Sequence, residues 1–174
     1  DNGSGSTAKI DEAIWKVADI NLPEKYQDCT RIINMSFGSG TASKSMHDAI
    51  KYAISKGVRC VASAGNYGQN REGYKSYPGS FPEVISVAAI DKNKKAAYFT
   101  GKTDQVDLAA PGVGVYSTHK NGQYAYLSGT SMSGPYIAGL VALVETEYGS
   151  EQYSHEALET YLEEFTEDLG EPGH

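Results

Sequence analysis

Ser131 stands at the entrance of a long apolar run, in Ser128-Gly129-Thr130-Ser131-Met132-Ser133-Gly134-Pro135-Tyr136-Ile137-Ala138-Gly139-Leu140. A serine so placed is either a plain helix cap or a nucleophile whose developing negative charge meets the amides at a helix start. Taken alone, Gly129-Thr130-Ser131 suits the cap. The longer run points the other way, because a proline inside an apolar helix costs about 3 kcal/mol unless it lies in the first turn or has a compensating reason. A serine hydroxyl attacks an acyl carbon only if a base takes its proton and a donor stabilises the oxyanion. Asn66, which closes Ala62-Ser63-Ala64-Gly65-Asn66, offers a neutral amide donor, although Gly65-Asn66 by itself also reads as an ordinary turn after a strand.

The base is harder to find among the four histidines. His47 lies mid-helix beside Asp48, and adjacent helical residues point in different directions, so a solvated pair is expected rather than a dyad. His119 falls in a hairpin and is expected to be exposed. His155 sits near a helix start in an acidic stretch, and His174 is the last residue.

The elements that must position these groups alternate. Ile10 to Ile20 has helical apolar spacing, with Pro23 forbidding much continuation. Ile32 to Phe37 reads as a buried strand, Ser43 to Ser55 as a helix capped by Gly57, and Val58 to Ser63 as a strand. Val84 to Ala89 and Val106 to Ala109 follow as strands, and Val113 to Ser117 with Gln123 to Leu127 form a hairpin around Lys120-Asn121-Gly122. Thr130 to Glu147 is so apolar that it should run through the core, and Ser154 to Phe165 is an amphipathic last helix. This order predicts an α/β fold, a doubly wound, mostly parallel sheet flanked by helices. Ligands of such sheets sit beyond the carboxyl ends of strands, where Gly38, Asn66 and the turn before Ser131 all fall.

Charge narrows the partners. The net charge is −7, and from Asn121 onward there are ten acidic residues and no Lys or Arg, against 15 basic and 12 acidic groups before it. That distribution argues against nucleic acid and against an anionic membrane surface, and the acidic stretch reads as a solvated helix face. Cys29 and Cys60 form no metal pattern or disulfide framework; Cys60 suits a small buried position, and a bridge is conceivable if their strands are neighbours.

Gly129-Thr130-Ser131-Met132-Ser133-Gly134-Pro135 resembles the Gly-Thr-Ser-Met-Ala-x-Pro signature of the subtilisin-like serine peptidases, with Ser133 where the family has Ala. Ala64-Gly65-Asn66 resembles the family's oxyanion-hole segment, and Asn34-Met35-Ser36-Phe37-Gly38 its Asn-Met-Ser-Leu-Gly strand. Gly3-Ser4-Gly5 resembles its Gly-Ser-Gly edge segment, and Tyr77-Pro78-Gly79 and Ala109-Ala110-Pro111-Gly112 match scaffold segments. The resemblance covers nearly all of the chain. It implies peptide-bond hydrolysis through an acyl-enzyme, with Ser131 as nucleophile and Asn66 with the Ser131 N–H at the oxyanion. It also implies that Gly3, Ser4, Gly5, Ser36, Phe37 and Gly38 sandwich an extended polypeptide substrate, that Ser63, Ala64 and Gly65 line the primary specificity pocket, and that Thr130 joins the substrate-binding residues.

What the family needs and the sequence lacks is equally informative. The family order is Asp, then His, then Ser, both partners ahead of the Gly-Ser-Gly segment at which this chain begins, and no histidine here has a His-Gly-Thr-His context. The family also usually continues past an Asp-Leu-Gly such as Asp168-Leu169-Gly170. Residues 1–174 are therefore expected to be the C-terminal portion of one catalytic domain, incomplete at both ends. The chain alone is expected to be inactive, completed by an N-terminal segment or a second chain supplying Asp and His, and stable only with that segment or by self-association. No cofactor is required; calcium at Asp107 with carbonyls near Gly79 is an expectation of the resemblance, beside the plainer reading of Asp107 as a capping residue. Family habit favours an extracellular setting. The alternative is a non-catalytic relative that binds peptides or a partner, whereas an α/β-hydrolase esterase is disfavoured because no Gly-x-Ser-x-Gly surrounds Ser131.

Overall fold

A computed structural model describes residues 5–68, 73–148 and 154–169. Helix α1 spans Thr7–Asp19, strand β1 Ile32–Met35, helix α2 Lys44–Ser55, and strands β2 Arg59–Ser63, β3 Ile85–Ile90 and β4 Leu108–Pro111. Strands β5 (Val115–His119) and β6 (Gln123–Leu127) precede helices α3 (Thr130–Tyr148) and α4 (His155–Glu164). Strands β1 to β4 form one parallel sheet in chain order, with Ile33 opposite Cys60, Ala62 opposite Ser86 and Val87 opposite Leu108. The expected α/β architecture is present, and β5 and β6 pair as the expected antiparallel hairpin, Tyr116 opposite Tyr126.

Strand period decides which helix covers which face. Along β2, Cys60 and Ala62 point into a core built with Ile14, Met46, Ile50 and Ala53 of α1 and α2. The intervening Val61 points to the other face, where Ile137 and Val141 of α3 and Leu158 and Leu162 of α4 meet Ile85, Val87 and Leu108. All five residues of β2 are buried, as a central parallel strand requires.

Local signals set the helix ends. The Ser43 hydroxyl accepts the Met46 N–H, the Ser154 hydroxyl accepts the Ala157 N–H, and Gly57 follows α2 with φ +77°. Arg31 donates to the carbonyls of Val17 and Ala18 at 3.1 and 2.6 Å and to that of Lys56 at 2.7 Å, so one cation closes the negative ends of α1 and α2 together.

Three expectations change. Helix α3 lies on the sheet rather than running through the core: Ile137 and Val141 are buried, while Tyr136 and Leu143 are 51% and 69% exposed. The acidic helix is only partly solvated, since Glu159 is half-buried and His155 buried. The strands following Cys29 and carrying Cys60 are indeed neighbours, yet both thiols are free, Cys29 at the surface and Cys60 in the core, where burial pushes its thiol up to about 12. No helix among the described residues is long and apolar enough to cross a membrane.

Candidate active site

The carboxyl ends of β1 and β2 face the start of α3, and three short polar segments meet there. Strand β2 runs out through Ala64 into Gly65, whose φ of +94° turns the chain so that Asn66 is exposed beyond the sheet. Thr130 is buried at the mouth of α3. Its N–H donates to Asn66 Oδ1 at 2.9 Å and its hydroxyl donates to the same oxygen at 3.0 Å, while the Gly65 N–H donates to the Thr130 hydroxyl at 3.2 Å. Both bonds take the carbonyl end of the amide, which leaves Nδ2 as the outward donor. A Cβ built on Gly129 would sit 3.4 Å from that nitrogen, so the chain entering α3 passes close beside it.

Ser131 is half-buried, one residue further on. Its hydroxyl donates to the Ser36 carbonyl at 3.3 Å, and the Ser36 hydroxyl donates to the Ser131 carbonyl at 3.0 Å. Asn34 Nδ2 donates to the Ser36 hydroxyl at 3.0 Å. The end of β1 can come this near only because position 134 is glycine: a Cβ there would lie 2.9 Å from Asn34 Oδ1. The structure thus brings Ser36, Gly65, Asn66, Thr130 and Ser131 together, and it adds Asn34, whose amide in an otherwise apolar strand was the sequence signal for it.

Other expected residues sit as follows. Ser63, Ala64 and Gly65 are buried, with the Ser63 and Ala64 carbonyls packed against Gly79 and Gly101. Gly38 is exposed, its neighbours being Ser76 and Tyr77, and Phe37 packs partly against the α1–α2 core. Gly5 is exposed, a Cβ built on it lying 3.6 Å from the Ile10 side chain among the described residues, and Gly3 and Ser4 lie outside the described residues.

None of the described histidines bonds to Ser131. His47 does not form the expected solvated pair with Asp48: its Nε2 is 2.7 Å from Glu83 Oε2, its ring stacks on Phe81 with centroids 4.1 Å apart, and Asp48 pairs with Lys44. His119 is half-buried rather than exposed, and His174 lies outside the described residues. His155 is buried near the ion pair of Arg59 and Glu145, whose Nε and Oε1 are 2.6 Å apart; burial, then the Arg59 charge, hold its pKa down to about 4.

Asp107 accepts the Ser86 N–H of β3 at 2.6 Å rather than capping a helix, and with Glu159 and Glu163 offers carboxylate oxygens within 4.8 Å of one another. Burial pushes both the Glu159 and the Asp107 carboxyl above the usual carboxylate range, and the charge of Asp107 adds to the rise at Glu159.

The sequence profile of the subtilase family matches residues 1–174. The chain is 36% identical over 171 residues to the thermostable alkaline protease of Halalkalibacterium halodurans, covering 98% of this chain and 44% of that one. It is 39% identical over 118 residues to subtilisin DY of Bacillus licheniformis, covering 67% and 43%. Among solved structures, the S41 psychrophilic protease superposes with a TM-score of 0.80 at 34% identity, over 94% of this chain and 57% of that one. Sphericase does so with a TM-score of 0.80 at 34% identity, over 94% and 56%. The chain therefore spans less than half the length of both curated relatives.

Proposed function

The chain belongs to the subtilase family, and on that premise we propose that it carries the nucleophile and oxyanion donor of a serine endopeptidase acting on polypeptides. The observation behind this reading is the double bond from Thr130 to Asn66 Oδ1, which commits the amide to presenting Nδ2 beside the residue that precedes Thr130 and Ser131. In the proposed reaction a histidine takes the Ser131 proton as Oγ bonds to the scissile carbonyl carbon. The oxygen of that carbonyl becomes the oxyanion, and Asn66 Nδ2 and the Ser131 N–H donate to it; the latter lies in the first turn of α3, where helix amides lack intrahelical acceptors. Collapse of the intermediate expels the amine, which receives the proton from histidine, and water then hydrolyses the ester by the same route. Histidine and its orienting aspartate come from an N-terminal segment or a second chain.

The test is reaction of Ser131 with an aryl fluorophosphonate, with and without the coding sequence upstream of Asp1. Labelling that requires an upstream Asp-Gly and His-Gly-Thr-His, and is lost in Ser131→Ala, supports the reading. Peptide hydrolysis by residues 1–174 alone, abolished in Ser131→Ala, overturns the need for a partner segment. Absence of labelling with the upstream sequence present overturns the peptidase and leaves the second reading, a peptide-binding relative. That reading has one observation in its favour: the Ser131 hydroxyl donates to the Ser36 carbonyl, and no described histidine receives it.

None of these steps needs a cofactor. Calcium at Asp107 is tested by melting the protein with and without calcium; a rise in Tm that Asp107→Asn removes supports a site there. The working setting in this reading is extracellular. An intracellular serine protease of Paenibacillus polymyxa, 40% identical over 116 residues, stands among the relatives. Recovery of the protein from cell-free medium supports the extracellular setting, and retention inside cells overturns it.

A further inference from the structure

Pro135 lies five residues into the span of α3, and a residue there would donate its N–H to the carbonyl four positions earlier, that of Ser131. Proline has no N–H, and its ring crowds that carbonyl, so the main-chain acceptor of the candidate nucleophile is left without its helical partner. The partner comes instead from 95 residues upstream: the Ser36 hydroxyl donates to the Ser131 carbonyl at 3.0 Å. Asn34 Nδ2 donates to the Ser36 oxygen and so occupies one of its lone pairs, which directs the single hydroxyl proton toward Ser131. Gly134 leaves the gap that lets this polar end of β1 reach the helix.

We propose that Ser36 is the positioning residue for Ser131, its hydroxyl standing in for the amide proton that Pro135 lacks. The two residues form one device. Pro135 frees the carbonyl, and Ser36 fixes the freed carbonyl to β1, so the nucleophile is oriented by the sheet instead of by its own helix. The reciprocal bond from the Ser131 hydroxyl to the Ser36 carbonyl holds the side chain in the same grip until a base takes over. The catalytic meaning rests on reading Ser131 as the nucleophile; the hydrogen-bond substitution does not.

The substitution predicts a specific non-additivity between Ser36→Ala and Pro135→Ala. Carbonyl ¹³C shifts of Ser131 and amide hydrogen exchange over residues 131–140 are measured in the wild type, both single variants and the double variant. Ser36→Ala is expected to shift the Ser131 carbonyl resonance and to speed exchange about tenfold, the size of one part-buried acceptor left unmade. In the Pro135→Ala background, where an amide proton at 135 is available, the same change is expected to alter exchange by less than about twofold and to leave the carbonyl shift unmoved. Ser36→Thr, which keeps the donor, is expected to behave as wild type in both measurements. An unmoved Ser131 carbonyl in Ser36→Ala, or effects that simply add in the double variant, would overturn the proposal. Fluorophosphonate labelling of the upstream-extended protein separates the two readings: labelling slowed about tenfold by Ser36→Ala and recovered by adding Pro135→Ala supports positioning of the nucleophile. Failure of every variant including wild type to label overturns the peptidase while the carbonyl result stands.

Discussion

Asn66 and Thr130 are joined twice, through the Thr130 N–H at 2.9 Å and the Thr130 hydroxyl at 3.0 Å, both directed at Asn66 Oδ1. An amide held by one bond alone can swing; two donors from one buried residue stop it. Thr130 therefore fixes the orientation of the Asn66 amide, a contact its position in the sequence motif did not specify.

Thr130→Val keeps the shape and removes the hydroxyl bonds to Asn66 and from Gly65. Stability is expected to fall by about 1–3 kcal/mol, because the Gly65 N–H is buried and loses its acceptor. Urea unfolding measures this. Asn66→Asp keeps the acceptor oxygen and removes the Nδ2 donor, so it is expected to leave the melt nearly unchanged while slowing labelling by about 10²–10³-fold, the size that loss of such a donor has in a subtilisin. Equal losses in stability and labelling would show that the amide is merely structural.

His155 makes the fold sensitive to acid. Its pKa is depressed to about 4 by burial and then by Arg59, whereas an unfolded histidine titrates near 6.5, so the unfolded chain binds the proton first. The neutral imidazole's contribution is whole above about pH 6.5 and is lost as pH falls toward 4, an effect of about 3 kcal/mol. The comparison is with His155→Leu: relative to that variant, wild-type stability is expected to drop by this amount between about pH 7 and pH 4. A pH-independent difference would place His155 outside this account.

Ser133 is fully buried, and its hydroxyl has no hydrogen-bond partner among the described residues. Ser133→Ala removes an unmet donor and one heavy atom, and is expected to raise stability by about 1 kcal/mol. A thermal melt of the variant lower than that of wild type would mean that the hydroxyl is satisfied.

Strand β1 is an edge of the parallel sheet among the described residues, with Ile32 and Ile33 only half-buried. Open parallel edges pair with whatever extended chain reaches them. Residues 1–174 by themselves are therefore expected to self-associate, with sedimentation velocity showing species heavier than one chain. A monodisperse monomer with a cooperative melt would count against this.

Much of this protein was readable from local signals. The helices at Lys44–Ser55 and His155–Glu164 have their serine caps written one residue ahead, and the run Val58 to Ser63 reads as a strand, observed over Arg59–Ser63. Ser131 and Asn66 were identifiable because the longer runs around them, through Pro135 and from Ala64, resemble the subtilase motifs, whereas their immediate neighbours alone also suit a cap and a turn. What local pattern could not supply were partners far along the chain. Nothing near His155 in sequence announces Arg59 and Glu145, and nothing near Asp48 says that His47 will turn to Glu83.

The succession of strands and helices follows from periodicity and caps, and Ser131 and Asn66 became candidates through short motifs that resemble those of the subtilases, each complete within a few residues of chain. How that nucleophile is held emerges only in three dimensions: Ser36 reaches Ser131 across 95 residues, and Thr130 reaches Asn66 across 64. Those bonds exist because β1, β2 and α3 pack side by side, and packing is a property of the whole chain that no local window contains.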